Sequence, residues 1–298
     1  MTYQGKIKIR TSVNVYNFWE NEGKNRGNGI FATLRDHYFR YVEIKSILKE
    51  IKKNNKHLLD IGCGNGVSTF FFAPYSKKVT AIDYSKNLIK NAKKFQKINN
   101  FKKLIKSCNY NDLKSNFKNI NFVNGNILNL EEYLNKFDVA ICSRVLINLG
   151  TPNQQKQAMK NVYNSLKKNS LFIVNEVEAG NHKKLSKLRE ANNLDSLEKY
   201  WHNLYLKEKI FLRNAKNMGF KLIKKIQYGE YQILSKVMYP KMIKPQTPDF
   251  MSEFNKFAAD IFLNNKSLTK EIISKFFGNK IKDLKSPSHQ TGYVFKKI

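Results

Sequence analysis

Residues 58–66 read Leu-Leu-Asp-Ile-Gly-Cys-Gly-Asn-Gly, an apolar run that ends in an acid and three alternating glycines. The run 56–61 is typical of a buried parallel strand, and glycines let the backbone turn sharply and approach a ligand closely. A second predicted strand, 78–82, leads into Asp83, whose carboxylate can accept hydrogen bonds from two ribose hydroxyls. Together these features predict a nucleotide-type cofactor.

The spacing of the glycines narrows the choice of cofactor. A turn that holds a dinucleotide pyrophosphate has a three-residue step to its last glycine, and this chain has Gly-x-Gly-x-Gly instead. The missing step favours a ligand without a pyrophosphate, for which S-adenosylmethionine is the obvious candidate.

Four further segments extend the pattern: VTAIDYS at 79–85, INFVNGNIL at 120–128, FDVAICSRVLINL at 137–149 and SLKKNSLFIVNE at 165–176. With these segments in order, the chain resembles the class I S-adenosylmethionine-dependent methyltransferases over roughly residues 56–240. Segments 33–44, 201–205 and 231–240 are more loosely similar to bacterial methyltransferases of small-molecule or glycan type. One departure is KKNS at 167–170, where relatives usually have a Pro-Gly-Gly turn.

Strand and helix patterns alternate from residue 56 onward, which predicts an α/β fold with helices on both faces of a sheet. The expected architecture is a Rossmann-like, doubly wound sheet of about seven strands, mostly parallel with an antiparallel last strand. Strands are predicted at 56–61, 78–83, 120–124, 137–142, 170–175, 220–227 and 292–298, and 231–242 is also strand-like. Helices are predicted at 66–73, 86–97, 153–167 and 207–218, with a short extra helix in 99–118 and one or two helices in 249–279.

The regions outside the core suggest how the chain is organised. Residues 1–54 are expected to form an N-terminal helical flap with an aromatic cluster, a Gly/Asn hinge at 23–29 and a helix through residue 51. The methyltransferase core is assigned to 55–240, a helical insertion or lid over the substrate pocket to 241–290, and the final core strand to 291–298.

The composition leaves two interpretations of the charge open. A net charge of +31 can indicate a nucleic-acid partner, but lysine and asparagine occur everywhere, as an AT-rich coding sequence would produce. No apolar run of 18 residues and no secretory pattern occur, so we expect a cytoplasmic protein without a membrane span. The three cysteines, at 63, 108 and 142, lack metal or disulfide spacing, and no metal site is predicted.

The resemblance implies a set of cofactor-binding residues. Gly62, Cys63, Gly64 and Gly66 would line the methionine and ribose portion, and Asp60 would orient the turn or contact the amino group. Asp83 would hold the ribose, with Tyr84 against the adenine. Asn126 stands where many relatives have an acid, yet its amide carbonyl can still accept a hydrogen bond from the adenine amino group. The expected set is completed by Ile127, Ser143, Trp19 and Arg35, and Arg35 is a candidate partner for the cofactor carboxylate.

The acceptor side offers five candidate residues. Glu176 and Glu178 follow the fifth strand on the same side of an extended chain, so either could orient or deprotonate an acceptor. His202, in KYWHNLY, is a candidate general base, although a histidine among aromatic residues is also typical of packing. Tyr205 and the more distant His182 complete the candidates.

The sequence therefore predicts methyl transfer to an oxygen or nitrogen atom of a small-molecule, sugar or lipid-linked acceptor, by in-line displacement. The alternative is an RNA methyltransferase that uses its basic surface to bind phosphates. The segment after strand four lacks the Asn/Asp-Pro-Pro-aromatic signature of base amino-methylation. A cofactor-binding scaffold without catalysis is the third interpretation.

Overall fold

The computed structural model describes residues 9–51, 55–97, 101, 105, 110, 112–243, 249–278 and 287–298. Its centre is a seven-stranded sheet with the order β3-β2-β1-β4-β5-β7-β6. The strands are β1 Asn55–Ile61, β2 Ser76–Asp83, β3 Ile120–Asn124, β4 Phe137–Ser143, β5 Leu166–Val177, β6 Phe220–Gln227 and β7 Gln290–Lys297. β7 lies antiparallel between β5 and β6, whereas β1 to β5 pair in parallel. The predicted fold class, with its antiparallel last strand, is confirmed.

Helices cover both faces of this sheet and one edge. They are α1 Ser12–Arg26, α2 His37–Leu48, α3 Thr69–Phe72, α4 Lys86–Phe95, α5 Pro152–Ser165, α6 Ala179–Glu190, α7 Glu208–Asn217, α8 Gly229–Ile233, α9 Tyr239–Met242, α10 Glu253–Asn264 and α11 Lys266–Phe277. Successive residues of β1 face opposite cores, as the pleat requires. Leu58 packs in the core that α2 and α4 share, and Leu59 packs in the core of α5 and α7.

Three local predictions are corrected. The strand-like segment 231–242 is helical, with a π-helical turn at Leu234–Met238 between α8 and α9. Its apolar side chains are buried all round, so the sequence shows no helical period. The helix predicted at 66–73 contains only the short α3, and α6 was not predicted. The extra helix expected in 99–118 falls largely outside the described residues.

The N-terminal region lies against the carboxyl edge of the sheet. α1 packs along α4, and Gly23, which was expected in a hinge, is a buried residue of α1. A Cβ at Gly23 would lie 2.9 Å from the backbone nitrogen of Leu88, so the glycine permits the close approach of the two helices. The carboxyl ends of β1, β2 and β4 therefore face α1 across a narrow space.

Candidate cofactor and acceptor site

The glycine turn after β1 has the geometry that only glycine adopts readily. Gly62 and Gly64 have φ angles of +67° and +59°. A Cβ at Gly62 would lie 2.2 Å from Cγ2 of Val145, and one at Gly64 would lie 2.6 Å from Cγ2 of Thr33. The turn is therefore packed against the segment after β4 and the segment before α2.

Asp83, at the end of β2, is held beside this turn by two backbone hydrogen bonds. Its Oδ2 accepts a hydrogen bond from the Gly64 nitrogen and its Oδ1 accepts one from the Ser85 nitrogen, both at 2.9 Å. Burial raises the pKa of Asp83 to about 6, because the charged form loses hydration. The carboxylate is thus fixed in one orientation while its remaining acceptor capacity faces the cavity.

A cavity of about 370 Å³ lies at this edge of the sheet. Seven of the residues expected to bind the cofactor line it: Trp19, Gly62, Asp83, Tyr84, Asn126, Ile127 and Ser143. The Asn126 amide oxygen accepts a hydrogen bond from the Leu128 nitrogen at 3.0 Å, which uses part of its acceptor capacity. Among the described residues that line the cavity, Asp83 and Arg144 carry the only charges.

The other residues of that set do not line the cavity. Asp60 is buried below the turn, where it accepts a hydrogen bond from the Thr69 hydroxyl at 2.6 Å, and burial raises its pKa to about 7. Cys63, Gly64 and Gly66 belong to the turn behind the cavity wall. Arg35 is exposed on the segment before α2.

α1 closes the outer side of the cavity. Ser12, Val13, Tyr16 and Trp19 contribute one wall. The Glu20 carboxylate accepts hydrogen bonds from the Lys86 and Asn87 nitrogens, at 2.9 and 3.0 Å, and so caps the amino end of α4. Sequence reasoning missed Glu20, because the interaction joins residues about 66 positions apart.

The segment after β4 is anchored by Arg144. Arg144 has a left-handed backbone, with φ at +59°, and its nitrogen donates to the Asn175 carbonyl at 2.8 Å. Its guanidinium pairs with Glu43 of α2 at 2.5 Å. A strained backbone held by such contacts is typical of functional sites. The pair links α2 to the cavity wall over 101 residues of chain.

Glu176, a candidate catalytic residue, holds the same segment from behind. Its carboxylate accepts hydrogen bonds from the backbone nitrogens of Val145, Leu146 and Ile147, at 2.8, 2.7 and 3.4 Å. Burial outweighs these bonds and raises the pKa of Glu176 to about 8. The side chain is fully buried and does not line the cavity.

Glu178 and Tyr205 lie further along the same edge. Glu178 caps α6 by accepting hydrogen bonds from the Gly180 and Asn181 nitrogens, at 2.9 and 2.7 Å. The Tyr205 ring lies 4.8 Å from that of His182, and burial raises its pKa to about 12. His182 Nδ1 lies 3.0 Å from Nδ1 of His289.

His202 sits in a stack of aromatic rings beside α1. Its ring is 4.3 Å from that of Phe18 and 5.6 Å from that of Tyr200. The Trp19 ring, which lines the cavity, is 5.7 Å away. Burial lowers the pKa of His202 to about 4, so the imidazole is neutral near pH 7. Its Nδ1 has no hydrogen-bond partner among the described residues.

A family model for the methyltransferase domain matches residues 52–228, which is more than half of the chain and includes the glycine turn and Asp83. The chain belongs to this methyltransferase family. Its described helices include none long and apolar enough to cross a membrane. The described residues also contain no cluster of three His, Cys, Asp or Glu side chains suited to a metal ion.

Curated relatives match this methyltransferase-family chain over part of their length. A ubiquinone biosynthesis O-methyltransferase of Rickettsia akari is 27% identical over 168 residues, which cover 54% of this chain and 55% of the relative. One of Coxiella burnetii is 28% identical over 118 residues, or 40% of this chain and 43% of the relative. The chain thus spans about half the length of the curated relatives it matches.

A solved structure shares the fold over nearly the whole chain. It is a complex between the Haloferax volcanii Trm112 methyltransferase activator and a methyltransferase, with a TM-score of 0.57 at 9% identity, covering 94% of this chain and 97% of that chain. The N-methyltransferase NodS of Bradyrhizobium japonicum has a TM-score of 0.50 at 14% identity, covering 89% and 99%. At such low identity these likenesses show the fold alone.

Proposed function

We propose that this protein transfers a methyl group from S-adenosylmethionine to an oxygen or nitrogen atom of a small-molecule acceptor. The observation that carries the proposal is the cavity at the carboxyl edge of the sheet, which both Asp83 and Gly62 line. The curated relatives are named for O-methylation in ubiquinone biosynthesis, which supports a small-molecule acceptor. Their names lend no support to the RNA alternative.

The cavity residues fit an adenosine-bearing cofactor. Asp83 would accept hydrogen bonds from the ribose hydroxyls, and Tyr84, Ile127 and Leu128 offer apolar contacts to a base. S-adenosylmethionine supplies a methyl group on a sulfonium whose leaving group departs neutral, so the protein needs to align the reactants more than to protonate a leaving group. The fixed turn, the α1 wall and the segment after β4 would provide that alignment.

For the acceptor side, we propose His202 as the first candidate for proton transfer. It is neutral near pH 7, its Nδ1 is unpaired within the described residues, and Trp19 joins its ring stack to the cavity. Glu176 and Glu178 already accept backbone hydrogen bonds, so they would act by holding the surrounding segments. Tyr205, with its raised pKa, would donate a hydrogen bond while protonated.

The expected domain division fits this scheme as part of the proposal. Residues 1–54 would form the flap, 55–240 the core, 241–290 the insertion and 291–298 the final strand. α1 lines the cavity from the flap, and α10 of the insertion packs on α2.

The first experiment measures binding and transfer separately. Isothermal titration with S-adenosylhomocysteine should give saturable one-site binding, and labelled methyl transfer to a panel of catechols should follow. His202→Ala should lose transfer while retaining cofactor affinity, because the His202 side chain itself does not line the cavity. Absence of binding by the wild-type protein would refute the proposed function, and full transfer by His202→Ala would remove only the role of His202.

A further inference from the structure

We propose that the guanidinium of Arg144 binds the acceptor through an acidic hydroxyl oxygen in its ionised form, so that the acceptor is a phenol or an enol. This assignment, which rests on the methyl transfer proposed above, narrows the acceptor atom from oxygen or nitrogen to oxygen. Arg144 lines the cavity, and within the described residues that do so it is the single cation.

The order of the strands places Arg144 across the glycine turn from Asp83. β1 lies between β2 and β4, and Asp83 ends β2 whereas Arg144 follows β4. Adjacent strands are about 4.8 Å apart, so roughly 10 Å separates these two strand ends, with Gly62 between them. A nucleoside held at Asp83 would therefore extend over Gly62 toward β4. Arg144 belongs to the end of the cavity where an acceptor would meet the methyl group.

The backbone and the side chain of Arg144 are both fixed by contacts. Its nitrogen donates to the Asn175 carbonyl at 2.8 Å, and its carbonyl accepts a hydrogen bond from Nδ2 of Asn148 at 2.6 Å. The Asn148 amide oxygen in turn accepts a hydrogen bond from Nε1 of Trp19 at 3.2 Å. Nη1 of Arg144 pairs with Glu43 at 2.5 Å. The guanidinium is thus oriented before an acceptor arrives, which reduces the entropy lost on binding.

The rest of this guanidinium is available to a ligand. Within the described part of the chain, Nη1 is the only one of its nitrogens with a hydrogen-bond partner, so Nε and Nη2 can still donate. The Arg144 side chain is 16% exposed and that of Glu43 only 2%, so the accessible part of the pair is the cation. A guanidinium has donors and no acceptor, so it binds oxygen lone pairs and cannot accept from an amine N–H. It binds most strongly to an oxygen that carries negative charge.

The groups around Arg144 supply only part of its counter-charge. Those that titrate and face it are Glu43 of α2, Asp60 of β1, Glu176 of β5 and Tyr228 before α8. Burial raises the pKa of Glu176 to about 8 and that of Tyr228 well above its usual value, so both are protonated near pH 7. Burial also raises the pKa of Asp60 to about 7, so its charge is partial. Glu43 is the main counter-charge, and a bound sulfonium would add a further positive charge.

An ionised hydroxyl also suits the transfer step. Its proton leaves to solvent by way of His202, the candidate proposed above. The oxygen lone pair then forms the bond to the methyl carbon while the carbon–sulfur bond breaks and its electron pair stays on sulfur, so the two opposite charges cancel. Arg144 would stabilise the oxygen anion until that bond forms, because a cation within about 4–6 Å of an acid favours the charged form.

The test measures the ionisation of a bound phenol. 4-Nitrocatechol and 4-nitrophenol serve as probes, because their ionised forms absorb at longer wavelength than their neutral forms, and saturating S-adenosylhomocysteine is present throughout. We expect the wild-type protein to bind at least one probe and to lower its pKa by about one unit or more. Arg144→Met should return the pKa to that of the free probe and weaken binding near pH 7 by about tenfold or more. Arg26→Met, which breaks an exposed pair with Glu22 on α1, is the matched control and should behave as the wild-type protein.

Two further variants separate recognition from folding. Arg144→Met leaves the buried Glu43 without its partner, so the double variant Arg144→Met with Glu43→Gln removes both charges and should show the same loss. Glu43→Gln alone keeps the guanidinium and removes its counter-charge, so the pKa of the bound probe should fall further. A pair with a purely structural role would give a higher pKa in Glu43→Gln, and that result would contradict the assignment.

Three other results would overturn it: no binding of either probe to the wild-type protein, an unshifted pKa of the bound probe, or a wild-type pKa in the double variant. Calorimetry with S-adenosylhomocysteine distinguishes these failures from failure of the proposed function. If the wild-type protein binds S-adenosylhomocysteine, the proposed function stands and only the role of Arg144 is lost.

Discussion

The cofactor cavity and the cap, by which we mean α2, α8, the π-helical turn, α9, α10 and α11, differ in how their buried acids are hydrogen-bonded. Both oxygens of Asp83 accept backbone hydrogen bonds, whereas Oδ2 of Asp36 has no partner among the described residues. The cavity is thus complete before a ligand arrives, while the cap retains polar atoms that a ligand or water would satisfy. The contrast suggests that cofactor binding depends on rigid geometry at the cavity.

The largest effect is expected for Gly62→Ala, which changes the backbone turn that lines the cavity. The new Cβ would lie 2.2 Å from Val145, and the alanine would have to adopt a positive φ. We therefore expect a loss of ~3 kcal/mol of unfolding free energy and loss of cofactor binding. Urea unfolding measures the first and titration calorimetry the second. Gly278→Ala is the matched control, since φ there is +57° but no atom lies within 4 Å of a new Cβ. If both variants lose equal stability, packing around the turn does not hold the cavity.

Asp83→Asn should weaken S-adenosylhomocysteine binding by about 30-fold, because hydrogen bonds to a charged group contribute about 1.5–3 kcal/mol. In the wild-type protein, affinity should also fall as pH drops below about 6, since protonation removes the charged acceptor. Calorimetry at several pH values measures both effects. Asp112→Asn, at a surface pair with Lys45, is the control. Equal affinity of Asp83→Asn and the wild-type protein would show that the Asp83 carboxylate does not contact the cofactor.

Glu176→Gln should flatten the dependence of stability on pH. The folded protein keeps a proton on Glu176 up to about pH 8, whereas the unfolded chain releases it near 4.5. This stabilisation is therefore present below pH 4.5 and is lost as pH rises to 8. We expect Glu176→Gln to reduce the decline in unfolding free energy between pH 5 and 8 by at least about 1 kcal/mol, measured by urea unfolding. An unchanged slope would mean that Glu176 is ionised in the folded state.

The smallest effect is expected for Glu20→Gln at the junction of α1 and α4. The Lys86 and Asn87 nitrogens donate to different oxygens of Glu20, so an amide keeps only one of these two bonds and carries no charge. We expect cofactor affinity to change by less than about threefold while dissociation becomes faster. Stopped-flow displacement of S-adenosylhomocysteine measures the rate. A rate equal to that of the wild-type protein would mean that α1 does not restrain the cofactor.

The sequence predicted the sheet and the family because their signals are local. The apolar run before Gly62 and the placement of Asp83 at the end of β2 each depend on a few adjacent residues, and the structure confirms both. The exact roles of Asp60 and Arg35 stay predictions, since the first is buried below the turn and the second is exposed.

The features that escaped prediction join distant parts of the chain. Arg144 follows β4 and lines the cavity, and its pairing with Glu43 depends on how α2 docks. Glu178 was predicted to orient or deprotonate an acceptor. The sequence does not reveal that it caps α6, because that helix has a weak apolar pattern. The segment 231–242 was predicted to be strand-like because its apolar side chains are buried on all sides of the helix and so show no helical period.

The position of β7 has a consequence for how the protein folds. Leu171 of β5 pairs with Lys296 of β7, a separation of 125 residues (296 − 171), and β6 pairs with β7 on its other side. Such non-local pairing is slow, because a long loop must close before the contacts form. The loop that closes between β6 and β7 contains most of the cap, from α8 to α11. Closing this loop and completing the sheet are therefore coupled, and we expect substitutions in α8 to α11 to slow the folding of the sheet.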